Sequence, residues 1–403
     1  MWRRLAAVLV LAVMLAVVGV GLAGLFRPAP AVTLVSADAP ASFSPRPIGL
    51  AWPAAGEAAV GVPGVGMLGS RRGDQAVPIA SVAKVMTAYV LLHDHPLGPD
   101  DSGPVITVTP ADAAIYRADL AGGQSVARVI AGEQLNERQA LEAMLLPSAN
   151  NVATMLATWD AGSLGAFVAR MNDWARALGL THTSYADASG VDSATVSSAD
   201  DQVRLATAAL RLPVFAQIVS MRQAQLPAAG VQHNLDELLG QDGVFGIKTG
   251  STSAAGGCFV FATHERVGAH VVTVIGAVFG QPASPAQPTI IGAGLHAATA
   301  LLTSIPRDLE IVRVGREIRL AWLRAPWARA VAAGPSRAVS LVGWPGLPVR
   351  VRIAAAPHIR APVRSGQRVT VADIVAGDQH ETVPVVATRE LASPSFGWRV
   401  THP

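Results

Sequence analysis

The chain has 403 residues, 51% hydrophobic and 15% charged, which is enough apolar material for two or three cored domains and excludes a disordered chain. Its one cysteine, Cys258, excludes an intramolecular disulfide framework and a cysteine-based zinc knuckle. The net charge of +3 makes no case for nucleic acid, but it is unevenly placed: residues 1–310 carry 18 basic and 23 acidic groups, residues 311–403 carry 13 and 5.

At the N-terminus Arg3 and Arg4 precede an uncharged apolar run from Leu5 to Phe26. Its length predicts a membrane anchor, residues 1–26, with Met1–Arg4 on the cytoplasmic side and the rest exported. The alternative is a signal sequence cut at Ala29-Pro30-Ala31. Residues 27–48 hold Pro28, Pro30, Pro40, Pro45 and Pro47 and read as an extended linker. Residues 49–305 read as one α/β or α+β domain. Apolar spacing predicts helices over 82–93, 137–146, 151–159 and 164–178, and Val/Ile/Phe-rich runs predict strands over 244–248, 258–263 and 270–279. The three prolines of 281–288 should end the last strand. From residue 306 to 403 the alternation of Ile318, Leu320 and Trp322, and of Val349, Val351 and Ile353, predicts a separate β-rich domain.

The chain has 29 Arg and two Lys, Lys84 and Lys248. Arginine keeps its proton, so a lysine persists where an amine must lose one or where a compact charge is needed. Ser81 and Lys84 are three apart at the start of an apolar helix and share a face. The helix N-terminus and an apolar surround both disfavour the ammonium, which suits Lys84 to act as base for Ser81. Lys248 lies in Gly246-Ile247-Lys248-Thr249-Gly250-Ser251; on a strand it shares a face with Gly250, where a substrate could lie against bare backbone. Between them, Leu146-Pro147-Ser148-Ala149-Asn150-Asn151 reads by itself as a turn between helices. Ser-x-x-Lys, Ser-x-Asn and Lys-Thr-Gly in this order are the motifs shared by penicillin-binding proteins and class A β-lactamases.

The stretches PIASVAKVMTAYVLL, LLPSANNVA, GIKTGSTSAAGGCFV and APVRSGQRV closely resemble the D-alanyl-D-alanine carboxypeptidases, the low-molecular-mass penicillin-binding proteins. The likeness covers about residues 45–400. It implies a penicillin-recognising α/β serine hydrolase of the β-lactamase and transpeptidase type, followed by a small all-β domain. It implies Ser81 as nucleophile, Lys84 as its base and Ser148 as proton relay. Asn150 would hold the substrate backbone, Lys248, Thr249, Gly250 and Ser251 would bind the substrate's carboxyl end, and the N–H groups of Ser81 and Ser251 would form the oxyanion hole. The partners implied are a peptidoglycan stem peptide ending in D-Ala-D-Ala and β-lactam inhibitors, with no cofactor and no metal. Many relatives place Asp where Asn151 stands; both cap helices, so little loss is expected. Gram-negative relatives end in an amphipathic helix, and none is expected in Trp398–Pro403, which fits an N-terminal anchor.

A β-lactamase would need a Glu in a Glu-x-x-Leu-Asn loop, and the single Glu between Asn151 and Lys248 is Glu237, in another pattern. A D,D-endopeptidase of the same fold and a non-catalytic wall or penicillin sensor remain alternatives. His93-Asp94-His95 has the look of a metal site but lacks a patterned third ligand. Cys258, after two glycines at a strand start, reads as a buried small hydrophobe. The basic C-terminal segment is either an ordinary solvated surface or a face for anionic wall polymers.

Overall fold

The structure is a computed structural model that describes residues 2–26, 28–37, 42–355 and 358–402. Arg27 and Pro40 of the expected linker, and the side chains of Arg3 and residues 20–26, lie outside the described residues. The chain divides into two compact units, Ile48–Leu309 and a second made of Met1–Pro47 with Glu310–Pro403.

The first unit is built on a five-stranded antiparallel sheet in the order Val244–Thr252, Gly256–Val267, His270–Gln281, Glu57–Val62, Gly66–Arg71. The predicted strands are there, each longer than its apolar run because pairing carries the backbone past the hydrophobic stretch. The strands Glu57–Val62 and Gly66–Arg71 were not legible, since Ala, Gly and Ser dominate them. Alternation along Gly256–Val267 sends Cys258, Val260 and Ala262 into the helical core. Phe259 and Phe261 are buried on the opposite face, which the helix Ile290–Ser304 covers.

Among the helices on the core side are the four expected ones, Lys84–Asp94, Glu137–Leu145, Asn150–Ala161 and Leu164–Ala177. Each lies where its apolar spacing placed it. Glu137–Leu145 opens on a reciprocal cap between Asn136 and Gln139. The Lys84 helix is wholly buried from Lys84 to Leu92, so it is a central pillar and not a surface helix with one apolar stripe. His93 and His95 close this helix in packing roles. His93 Nδ1 donates to the Tyr89 carbonyl at 2.7 Å, and His95 Nε2 lies 2.8 Å from Asp160 Oδ1.

In the second unit six antiparallel strands follow the order Thr33–Ser36, Ala321–Ala325, Ala328–Pro335, Gln379–Ala387, Arg368–Ala376, Val349–Ile353, beside the pair Glu310–Val314 and Val339–Gly343. The stretch expected as a linker therefore contributes an edge strand, and Val32 and Phe43 join this unit's core. Its prolines flank the Val-Thr-Leu-Val run without interrupting it. The Trp322 face is also corrected: the strand starts at Ala321, and Ala321 and Leu323 point inward while Trp322 is half-buried. Phe396–Thr401 is a short helix. The helix Trp2–Phe26 forms; among the described residues no single helix is long and apolar enough to cross a membrane.

Candidate active site

Ser81 sits in a 3-10 turn, Ala80–Ala83, that feeds directly into the Lys84 helix. It is not a helix cap: the N-cap position is Ala83, with no side-chain capping bond. Ala80 is held at φ +48°, a left-handed conformation that costs a non-glycine residue about 1 kcal/mol. Two glycines make the turn possible. A Cβ on Gly190 would stand 1.8 Å from the Ala80 carbonyl oxygen, and one on Gly250 would stand 3.0 Å from both Ile79 O and the Ser81 amide nitrogen. The bare backbone at Gly250 therefore lets the strand seat against the Ser81 turn.

Ser81 is half-buried and Lys84 is fully buried. Lys84 Nζ lies 2.8 Å from Ser81 Oγ, 2.6 Å from Asn150 Oδ1 and 2.9 Å from the Ser189 carbonyl oxygen. Burial, then the charge of Lys248, hold its pKa well below the ordinary lysine value, against smaller opposing effects of Asp187 and Asp119. Asn150 is fixed at both ends of its amide, since Nδ2 donates to Gln124 Oε1 at 2.8 Å. One amide hydrogen remains for a ligand.

Ser148 has φ +65° and a buried Oγ without a hydrogen-bond partner among the described residues. A strained, orphaned hydroxyl is not a stability feature. Asn151 does not cap its helix. It accepts from Ala127 N at 3.1 Å and donates to Ala127 O at 2.9 Å, clamping the loop after Gln124 to the helix. An aspartate there would keep the first bond and lose the second, a correction to the capping expectation.

Lys248 and Thr249 are buried and Ser251 is exposed, on a strand at the sheet's edge. Burial lowers the Lys248 pKa to about 7, and Asp236 opposes this. Asp236 is itself buried and raised to about 6. One of its oxygens accepts from Leu238 N at 3.0 Å.

All eight residues expected from sequence thus lie on the turn, strand and helix starts of one unit. Ser81, Lys84 and Asn150 touch, and Gly250 packs on the Ser81 turn. Three groups were missed. Asp187 gathers Ser189 Oγ at 2.6 Å, Gly190 N at 3.0 Å and Thr195 Oγ1 at 2.6 Å, shaping the loop whose Ser189 carbonyl meets Lys84. Its Asp-Ala-Ser-Gly spelling is a turn signal that could have been read. Gln124 and Asp236 carry no such local mark. Cys258 is buried, which pushes its thiol up to about 12.

Residues 65–281 match the family model of D-alanyl-D-alanine carboxypeptidase, the S11 peptidases. A D-alanyl-D-alanine endopeptidase of Pseudomonas aeruginosa is 32% identical over 272 residues, 66% of this chain and 83% of that protein. The D-alanyl-D-alanine carboxypeptidase DacB2 of Mycobacterium tuberculosis is 35% identical over 203 residues, 49% of this chain and 65% of that protein. Among solved structures, the Streptomyces K15 DD-transpeptidase is 26% identical, with a TM-score of 0.53 over 65% of this chain and 98% of its own. Penicillin binding protein 5 from Haemophilus influenzae shares the fold, with 21% identity and a TM-score of 0.60 over 86% of this chain and 99% of its own. The chain belongs to the D-alanyl-D-alanine carboxypeptidase family of S11 peptidases.

Proposed function

We propose that this enzyme is a serine D-alanyl-D-alanine carboxypeptidase that removes the terminal D-Ala of peptidoglycan stem pentapeptides through an acyl-enzyme on Ser81. The observation that carries this reading is the surround of Lys84. As a neutral amine it has two N–H donors and one lone pair. Asn150 Oδ1 and the Ser189 carbonyl take the donors, which leaves the lone pair for the hydroxyl of Ser81, 2.8 Å away.

In this mechanism Lys84 takes the Ser81 proton as Oγ attacks the carbonyl of the penultimate D-Ala. The N–H groups of Ser81 and Ser251 stabilise the oxyanion. Ser148, whose hydroxyl has no hydrogen-bond partner among the described residues, passes a proton to the departing D-Ala amine. Water then attacks the Ser81 ester and restores the free serine. Lys248, Thr249 and Ser251 bind the terminal carboxylate. β-Lactams acylate the same serine and stay, because the opened ring remains tethered where water must enter. The work is done outside the cytoplasm. Cell fractionation decides between retention through Leu5–Phe26 and release after a cut near Ala31.

The Pseudomonas relative's name favours a second reading, an endopeptidase that cuts cross-linked stems at the same D-Ala bond. Incubation with diacetyl-L-Lys-D-Ala-D-Ala and with a cross-linked stem dimer separates the two. The carboxypeptidase reading expects free D-Ala with turnover, unaffected by EDTA, and slow penicilloate release. It expects labelled penicillin on Ser81 by peptide mapping. Rapid penicilloate turnover would make the protein a β-lactamase, acylation with no peptide hydrolysis a sensor, and label on another residue would overturn the serine mechanism.

A further inference from the structure

Asp119 stands on the last turn of the helix Pro110–Ala121. Its carbonyl accepts from Gln124 N at 2.9 Å, closing the turn through Gly122 and Gly123. Gln124 then holds Asn150 through its side chain at 2.8 Å, and the Ser125 carbonyl accepts from Asn150 N at 2.8 Å. This loop is therefore a wall of the Ser81 site on the Asn150 side, and Asp119 stands at its start.

The Asp119 carboxylate is half-buried and has no ion pair or side-chain hydrogen bond among the described residues. Its charged neighbour is Lys84. In its working, neutral form Lys84 offers no positive charge, so this partly desolvated carboxylate lacks a counter-charge. Such a group is costly in the free protein and favours a ligand that brings a cation.

We propose that Asp119 is a specificity-determining residue that receives the side-chain ammonium of the residue preceding D-Ala-D-Ala, so that the enzyme selects stem peptides with a free amine there. The inference rests on the carboxypeptidase reading and on Asn150 holding the acyl-side backbone, which brings that residue to the same wall. The other charges acting on Lys84 are Lys248 and Asp187, and the Asp187 carboxylate is already taken up by Ser189, Gly190 and Thr195.

The test compares kcat/KM of the full chain on Nα-acetyl-L-Lys-D-Ala-D-Ala and on its Nα,Nε-diacetyl form. The native protein should prefer the free amine by about fivefold, as much as a part-exposed ion pair gives, and the preference should shrink in high salt. Asp119→Asn should bring the ratio near one, and Asp119→Lys should reverse it. An unchanged ratio in Asp119→Asn, or an equal loss on both peptides, would overturn the proposal, the latter by showing that Asp119 acts on Lys84. Equal turnover of the two peptides by the native protein would overturn this inference alone. No D-Ala from either peptide would overturn the carboxypeptidase reading and this inference with it.

Discussion

Lys248 lies near enough to Lys84 for its charge to join burial in holding the Lys84 ammonium well below its ordinary value. Burial moves Lys248 down to about 7, with Asp236 opposing. In the proposed mechanism one of these lysines serves as the base and the other as a charge.

This division predicts different failures for the two arginine variants. Lys84→Arg should lose acylation by labelled penicillin by roughly 10²–10⁴, the worth of a general base, because arginine keeps its proton. Lys248→Arg should chiefly raise KM, by roughly tenfold or about 1.4 kcal/mol. Acylation at the native rate in Lys84→Arg would place the proton acceptor elsewhere.

The pH profile follows with its sign. kcat/KM in the free enzyme should rise as Lys84 loses its proton and fall as pH passes about 7, where Lys248 loses its own. Asp236 supports the Lys248 charge, so Asp236→Asn should move the alkaline limb to lower pH. A limb that stays in place would assign it to another group.

Ser148→Ala should separate activity from stability. Its Oγ is buried without a partner among the described residues, so removing it breaks no hydrogen bond there, and the melting temperature should stay within about 2 °C of the native value or rise. Peptide turnover should fall roughly 10²–10⁴ if the hydroxyl relays the proton. A large loss of stability together with full turnover would reverse both halves.

Gly250→Ala tests the seat of the nucleophile. The new methyl would press at 3.0 Å on the Ser81 amide nitrogen and at 3.1 Å on that of Val82. Stability should drop by about 1–3 kcal/mol, and acylation by penicillin should slow more than tenfold, because the Ser81 turn must shift. Native acylation with native melting would show that the strand can move away freely.

Some of this was legible in residues alone because the physics is local. Three-residue spacing puts Ser81 and Lys84 on one side of a helix start wherever that helix lies. Apolar periodicity located the helices of 84–94, 137–145, 150–161 and 164–177 and the strands that carry Lys248 and Cys258. The rarity of lysine pointed to Lys84 and Lys248 before any fold was known. What the tertiary structure alone decided depends on groups far apart in the chain. Thr33–Ser36 became a strand because Ala321–Ala325 offers it an open edge. Gly250 matters because its strand presses on a turn some 170 residues earlier. Gln124, Ser189 and Asp236 entered the site through hydrogen bonds and charges supplied by distant segments. Lys84 loses its proton readily because the folded core strips away its water and brings Lys248 near. Burial and long-range contact belong to the packed chain, and no window of sequence contains them.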